Sequence, residues 1–338
     1  MREAGADLLR IEDLKVWFET PRGTVRAVDG VTLSVRRGET LAVVGESGSG
    51  KSVTGLAVMR LLARTPARIK SGRVLFRGKD GEHDLLTLSE ARMTKLRGRE
   101  IAMIFQDPSS SLNPVFTVGE QIAEAIVLHR SLPQAQALEQ AGELLELVGI
   151  AAPRERLHDY PHQLSGGMRQ RVMIAMALAC DPLLLLADEP TTALDVTIQA
   201  QIVALLRRLQ TERRMGMIFV THDLGLVAEI ADRVAVMYAG QVVEEGPVGQ
   251  ILDAPRHPYT LALIDCSPHA ALAAARGAGR TALRTIPGAP ADPLDPPRGC
   301  RFHPRCRFAI DACRSEEVAL RRIGEERVSR CLRAEDLA

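Results

Sequence analysis

Short, unbroken apolar runs alternate along this chain with longer stretches of helical periodicity. Residues 41–44 (Leu-Ala-Val-Val), 101–105 (Ile-Ala-Met-Ile-Phe), 183–186 (four leucines) and 215–220 (Met-Gly-Met-Ile-Phe-Val) have the length and residue type of strands buried on both faces of a parallel sheet. Between them, residues 52–62, 117–130, 134–149, 168–179 and 196–210 space their apolar positions as helices do, and residues 153–161 form a proline-containing break. In the last helix Ile198, Ile202, Leu205, Leu206 and Leu209 share one face, which predicts core packing rather than a partner site. Residues 8–40 alternate and turn like antiparallel strands, and residues 233–246 read as a hairpin. No repeat of 20–50 residues is present. The pattern predicts an α/β protein.

With 338 residues the chain can bury a large core and form two units. Its net charge of +1 gives no electrostatic case for nucleic acid or anionic lipid, and 3% aromatic residues argue against a base-stacking platform. No run reaches the roughly 18 apolar residues of a membrane span; the richest, residues 172–187, is cut by Asp181-Pro182. The first residues lack a charged-then-apolar leader pattern. The expectation is a soluble cytosolic chain whose membrane work, if any, is done by a separate partner.

Candidate chemistry enters at GESGSGKS, residues 45–52. Gly45, Gly50, Lys51 and Ser52 fit the phosphate-loop pattern, between an expected strand and an expected helix. Glycines let backbone N–H groups turn inward around β- and γ-phosphates, and the helix N-terminus adds partial positive charge. Lys51 is placed to lie between those phosphates and Ser52 to offer its hydroxyl to Mg²⁺. Ser47, Gly48, Ser49 and Val53 complete the expected binding stretch. Downstream, Asp188 and Glu189 follow the leucine strand, at the carboxyl end where open α/β sheets place ligands. Neighbours on a strand point opposite ways, so the two acids take different roles: Asp188 in the Mg²⁺ shell, Glu189 polarising the attacking water as general base.

A third feature is Ser165-Gly166-Gly167 before a helix. Ser165 sits where an N-cap belongs, and the glycine N–H groups with the helix dipole make an anion site. Alone this is more often only a cap. With the phosphate loop and the acid pair, the chain resembles the ATP-binding cassette (ABC) ATPases, with Met168 where the family signature has Gln. The resemblance covers roughly residues 8–265. It implies a P-loop NTPase core with an antiparallel β subdomain and a helical signature subdomain at about 107–180, and ATP with Mg²⁺ as ligands. It also implies that Gln106 reaches the Mg²⁺ and the water, that His222 contacts the γ-phosphate, and that Asp195 lies at a dimer interface. Phe18 is expected to stack on adenine, with Trp17 as the alternative. Two cassettes would face head to tail, each ATP gripped by one chain's phosphate loop and the other's Ser165–Gly167 turn.

Beyond residue 265 the composition changes. Residues 270–285 are rich in Ala, Gly and Arg, and Pro287, Pro290, Pro293 and Pro296 recur every third residue, the period of a polyproline II spacer. Residues 266–298 therefore read as a linker and 299–338 as a small extension. Four of the six cysteines lie there: Cys300, Cys306, Cys313 and Cys331. The spacing C-x5-C-x6-C-x17-C lacks the short knuckles of zinc sites and suits an iron–sulfur cluster better, with zinc and a packed cap of free thiols as alternatives. Arg298, Arg301, Arg305 and Arg307 would offset a cluster's charge. Cys180 and Cys266 read as buried apolar residues.

GCRFHPRCRFAIDAC at 299–313, HPYT at 257–260 and the stretches 103–122, 161–178 and 188–202 resemble the ATPase branch of dipeptide and oligopeptide importers. That resemblance implies a [4Fe–4S] cluster on the four cysteines. It implies a companion ATPase subunit, two membrane permeases and an external solute-binding protein, and a peripheral position at the cytoplasmic face of the cell membrane. It implies no nucleic acid partner. Relatives in the branch carry nickel or glutathione, so cargo rests on kinship alone.

Overall fold

The computed structural model describes residues 6–267 and 285–337, except 64 and 193. In chain order the elements are β1 (Asp7–Thr20), β2 (Gly23–Arg36), β3 (Thr40–Val44), α1 (Lys51–Val58), β4 (Ala67–Gly78), β5 (Gly81–Asp84), α2 (Glu90–Leu96), β6 (Ile101–Ile104) and α3 (Pro108–Ser111). There follow α4 (Val118–Arg130), α5 (Gln134–Leu147), α6 (Pro153–Arg156), α7 (Gly166–Leu178), β7 (Leu184–Asp188), α8 (Val196–Arg213), β8 (Gly216–Thr221) and α9 (Leu224–Ile230). The chain closes with β9 (Arg233–Tyr238), β10 (Gln241–Pro247), α10 (Val248–Asp253), α11 (Pro258–Asp265), α12 (Ala312–Ser315), β11 (Arg321–Arg322) and β12 (Val328–Ser329). The backbone folds as two compact units. One comprises Met1–Leu9, Val35–Thr40 and Leu75–Val220, the other Arg10–Ser34, Leu41–Val74 and Thr221–Ala338.

In the first unit β7 lies between β6 and β8, parallel to both, with Leu184 opposite Ile101 on one side and Gly216 on the other. Every residue of β7 and β8 is buried, as leucine-rich and β-branched runs without polar alternation require. The helices beside them start where side chains satisfy the first free N–H groups. Thr117 and Glu120 form a reciprocal capping box on α4, Ser165 caps α7, and Asp195 caps α8. Because of its cap, α7 begins two residues ahead of the position its apolar pattern marks. Helix α8 runs to Arg213, one turn past its apolar stripe. The proline-containing break holds α6 and a single 3₁₀ turn at Pro161–Gln163. Strand β5 pairs antiparallel with the end of β4.

In the second unit β1 lies between β2 and the first part of β4. Separately, β3 runs parallel to β9, with Val44 opposite Val236, and β9 turns back into β10 as the expected hairpin. Helix α1 is shorter than its apolar pattern predicts, because Arg60 takes a left-handed conformation (φ 53°) that ends it. A core of Val44, Val236, Tyr238, Tyr259 and Phe302 forms here, with Cys300 and Cys306 packed against it. Strand β12 adds to β10, Ser329 opposite Glu244. The fully buried Glu244 carboxylate accepts from Arg327 Nη2 at 2.6 Å and from the Arg256 amide at 2.7 Å. Arg327 thereby pairs the charge through Oε1, while Oε2 is buried without a hydrogen-bond partner among the described residues.

The proline segment is tied down, contrary to the spacer expectation. Ala291 N donates to Tyr238 Oη at 3.2 Å, Arg26 N donates to Pro293 O at 3.2 Å, and Ile286 packs on the core. A proline every third residue leaves carbonyls free to accept from neighbours, and the tertiary core uses them. The Ala/Gly/Arg stretch lies largely outside the described residues. No helix among the described residues is long and apolar enough to cross a membrane.

Candidate functional site

The phosphate loop belongs to the second unit. Strand β3 is buried throughout and ends at Val44, and α1 begins at Lys51, so the six residues between must reverse in a tight loop. Two positions admit only glycine. A Cβ at Gly45 would lie 2.1 Å from Met237 O, and one at Gly50 would lie 2.3 Å from Ala27 O. Gly50 also adopts φ 100°. Helix α1 has no side-chain cap and no acidic residue in its first turn, which leaves its N–H groups and dipole to an anion. The Lys51 ammonium is buried and donates to Gly45 O at 2.8 Å and Glu46 O at 3.1 Å, folded over the loop it would share with a phosphate. Ser49 Oγ is buried with no hydrogen-bond partner among the described residues. An orphan hydroxyl inside an N–H-rich loop fits a phosphate oxygen. Ser47 and Gly48 are exposed at the loop tip, and Ser52 and Val53 occupy the first turn of α1.

Elsewhere in this unit Phe18 and Trp17 lie near the end of β1, both half-buried. The Trp17 ring carries Arg26 and Lys70 cations at 5.2 and 5.7 Å from its centroid, whereas no such contact engages Phe18 among the described residues. His222 is exposed after β8. Its neighbours are anchored: Thr221 Oγ1 accepts from Asp223 N at 3.0 Å, and Asp223 caps α9 through Gly225 N at 2.8 Å.

The first unit holds the acids. Asp188 is the last residue of β7 and is buried. The strand ends there, which corrects the expectation of two acids alternating on one strand. Glu189 sits at φ 44°, a left-handed conformation costing about 1–3 kcal/mol for a non-glycine residue, and its N–H donates to Val220 O at 3.0 Å. That turn swings the carboxylate to meet Gln106, whose Nε2 donates to Glu189 Oε2 at 3.3 Å, while Thr192 Oγ1 donates to the same oxygen at 2.9 Å. Thr192 escaped the sequence argument. Its only signal is the threonine three residues after the acid. Ser165 is exposed and accepts from Met168 N at 3.3 Å; Gly166 and Gly167 form the first turn of α7, which carries no acidic residue there. A Cβ at Gly167 would press to 3.0 Å on Ile198. Asp195 accepts from Ile198 N at 3.0 Å and so serves first as the cap of α8.

The four C-terminal cysteines converge: Cys300, Cys306, Cys313 and Cys331 line one cavity with His257, His303 and Phe308. Two features of the cavity bear on metal binding. The cavity of about 10 Å³ has room for roughly one water. Among the described residues no group of three His, Cys, Asp or Glu side chains is arranged to hold a metal ion. Burial pushes the Cys300 and Cys331 thiols up to about 11 and raises that of Cys306 as well, so they are protonated at neutral pH. Of the arginines expected to offset a cluster's charge, Arg301 pairs with Asp29 and Arg305 with Glu46, whereas Arg307 lies over the Phe308 ring beside the cavity. Cys180 is buried as expected, but Cys266 only half so.

A family model described as ABC transporter matches residues 28–192, and one described as Oligopeptide/dipeptide transporter, C-terminal region, matches residues 243–313. The chain is 52% identical over 303 residues to the oligopeptide transport ATP-binding protein OppD of Bacillus subtilis, covering 90% of this chain and 82% of that one. It is 50% identical over 324 residues to the dipeptide transport ATP-binding protein DppD of Escherichia coli, covering 96% of both. Among solved structures, a dimeric post-hydrolysis state of the ATP-binding cassette MJ0796 bound to ADP and Pi matches with a TM-score of 0.62 and 28% identity, over 71% of this chain and 98% of that one. The cbiO1 subunit of Clostridium perfringens matches with a TM-score of 0.60 and 28% identity, over 73% and 91%.

Proposed function

Because this chain belongs to the ABC transporter ATPases, in the group that serves oligopeptide and dipeptide import, we propose that it couples ATP binding and hydrolysis to peptide uptake through separate permease subunits. The observation that carries this reading is the phosphate loop: a buried Lys51, an orphan Ser49 hydroxyl and an uncapped helix start within eight residues. In our reading the loop holds the phosphates through residues 45–53, with Ser52, Asp188 and Gln106 around Mg²⁺. Glu189 takes a proton from the attacking water while Gln106 and Thr192 orient its carboxylate. His222 contacts the γ-phosphate, and Phe18 stacks on adenine, a choice supported by the cations already lying against Trp17. Bound Mg²⁺ supplies charge neutralisation at the phosphates.

We further propose a head-to-tail pairing with a companion ATPase subunit, in which Ser165, Gly166, Gly167 and Asp195 of one subunit close over the nucleotide held by the other. The cassette of residues 1–265, with its helical part at about 107–180, then works at the cytoplasmic face of the membrane beneath two permeases that receive peptide from a solute-binding protein. The linker of residues 266–298 and the extension of residues 299–338 complete the subunit. Ser165→Arg tests the pairing. Ser165 is exposed and contributes one cap, worth about 1 kcal/mol, so the variant folds and binds ATP as the wild type does. In the reconstituted transporter its ATP turnover falls at least about tenfold, because a bulky cation displaces the closing turn. Wild-type turnover in that variant would refute the shared site.

For the cysteine cap we propose a [4Fe–4S] cluster, supported by four thiols spread over 32 positions of sequence reaching one cavity. Cluster uptake must widen that cavity and draw protons from thiols that burial keeps neutral. Protein purified without oxygen is expected to contain iron and sulfide and to absorb in the visible, and Cys313→Ser to lose both. A colourless, iron-free wild-type protein overturns this reading.

A further inference from the structure

The second residue of the phosphate loop is an acid. Glu46 follows Gly45 directly, so a carboxylate is built into the segment that must receive a polyphosphate. Left alone it would repel that ligand, and the fold answers it from far along the chain. Arg305, 259 residues later, donates from Nη1 to Glu46 Oε2 at 2.7 Å and from Nη2 to Glu46 Oε1 at 3.1 Å, a two-pronged pair. The Arg305 side chain is only 4% exposed. It is itself fixed: Nε donates to Pro287 O at 3.0 Å, and its guanidinium lies 5.9 Å from both the Tyr238 and Phe302 ring centroids.

The backbone of Glu46 is held as tightly. Its N–H donates to Tyr259 Oη at 2.8 Å, and its carbonyl accepts from Lys51 Nζ at 3.1 Å. Tyr259 belongs to the HPYT stretch, whose His257 caps α11 through the Tyr259 amide at 3.1 Å. Tyr238, Tyr259 and Phe302 form one aromatic cluster, with centroids 4.6–5.3 Å apart. A second arm meets the loop near its other end. Arg301 donates to Ala239 O and pairs with Asp29, Asp29 N donates to Gly240 O at 2.8 Å, and Gly240 N donates to Ser49 O at 3.0 Å. Arg305 ends the short 3₁₀ turn His303–Arg305 of the extension, Arg301 lies two residues before that turn, and Cys306 follows Arg305 immediately.

We propose that the C-terminal extension is a positioning device for the phosphate loop: Arg305 neutralises Glu46 and, with Tyr259, holds the loop in the form that accepts a nucleoside triphosphate. The inference rests on the ATP-binding reading above. It makes Arg305 a positioning residue that acts on ATP affinity rather than on the chemical step.

The test is a titration of the full-length protein with a fluorescent ATP analogue, alongside steady-state turnover. Arg305→Ala leaves the Glu46 carboxylate within the phosphate loop without its cation and is expected to weaken binding and raise KM about tenfold or more, with kcat within about threefold. Adding Glu46→Gln to that variant removes the uncompensated charge and restores affinity to within about threefold of wild type. Glu46→Gln alone, at a partly exposed side chain that leaves folding intact, tightens binding about threefold or more because Arg305 then adds net positive charge to the loop. Arg305→Lys keeps the charge and loses the fork, so its affinity falls between wild type and Arg305→Ala. A merely structural arginine would lower stability and kcat together and would gain nothing from Glu46→Gln. The proposal is overturned if Arg305→Ala binds the analogue within twofold of wild type, or if the double variant is as weak as the single. It is equally overturned if Glu46→Gln alone binds no more tightly. A wild-type protein that binds no analogue, or binds it equally with Lys51→Ala, defeats the ATP-binding reading itself and is thereby told apart from failure of the clamp.

Discussion

Replacing Glu189 by Gln is expected to lower ATP turnover by about 10²- to 10⁴-fold, the range that one positioned general base contributes, while ATP binding survives. The amide is nearly isosteric, and Thr192 and Gln106 can still bond to it, so the left-handed turn that places residue 189 has no reason to relax. What disappears is the capacity to take a proton from water. With closure intact and hydrolysis blocked, the variant should accumulate as an ATP-bound assembly with its companion, visible as a nucleotide-dependent shift in size-exclusion chromatography. Single-turnover measurement separates this from slow product release. A Glu189→Gln protein that turns over at the wild-type rate would remove the carboxylate from the proton transfer and leave only a strained turn to be explained.

Lys51→Ala is expected to lose ATP affinity by roughly a hundredfold or more, since two charge-assisted hydrogen bonds are each worth about 1.5–3 kcal/mol. In the structure the Lys51 ammonium is satisfied by the Gly45 and Glu46 carbonyls, inside the curve of the loop. Its removal therefore has a second consequence: two loop carbonyls lose their donor and the backbone donors of the cradle lose the cation that balances an entering phosphate. Isothermal titration with ATP reads the effect directly, and thermal unfolding shows whether the loop alone has changed. Undiminished ATP affinity in this variant would separate the glycine-rich loop from nucleotide binding altogether.

Much of this molecule can be read from residue order because its elements are short and locally specified. Short apolar runs of strand length without polar alternation fit strands covered on both sides, and β7 and β8 are buried throughout. Ser165 marks a helix start because its side-chain oxygen can satisfy an N–H three residues on, whereas the caps at Thr117 and Asp195 emerged only with the structure. The phosphate loop is likewise local: Gly45, Gly50 and Lys51 lie within seven residues, and their spacing between a strand and a helix marks a candidate anion site. The acid pair was legible in identity but not in geometry, since the strand's end and the left-handed turn at Glu189 depend on a hydrogen bond to Val220.

What the residue order determined, then, is much of what has its cause within a few residues: most of the strand and helix pattern, the cap at Ser165, and the loop and general base as candidates. The tertiary structure alone decided which distant groups answer one another. It sent Arg305 to Glu46 and Arg301 to Asp29, tied the proline segment to Tyr238, and gathered four cysteines around a cavity scarcely larger than a water. A guanidinium carries its charge in any sequence, but the carboxylate it neutralises is chosen by burial and by the packing of Tyr238, Tyr259 and Phe302 around it. Those are properties of the assembled core, and no window of sequence contains them.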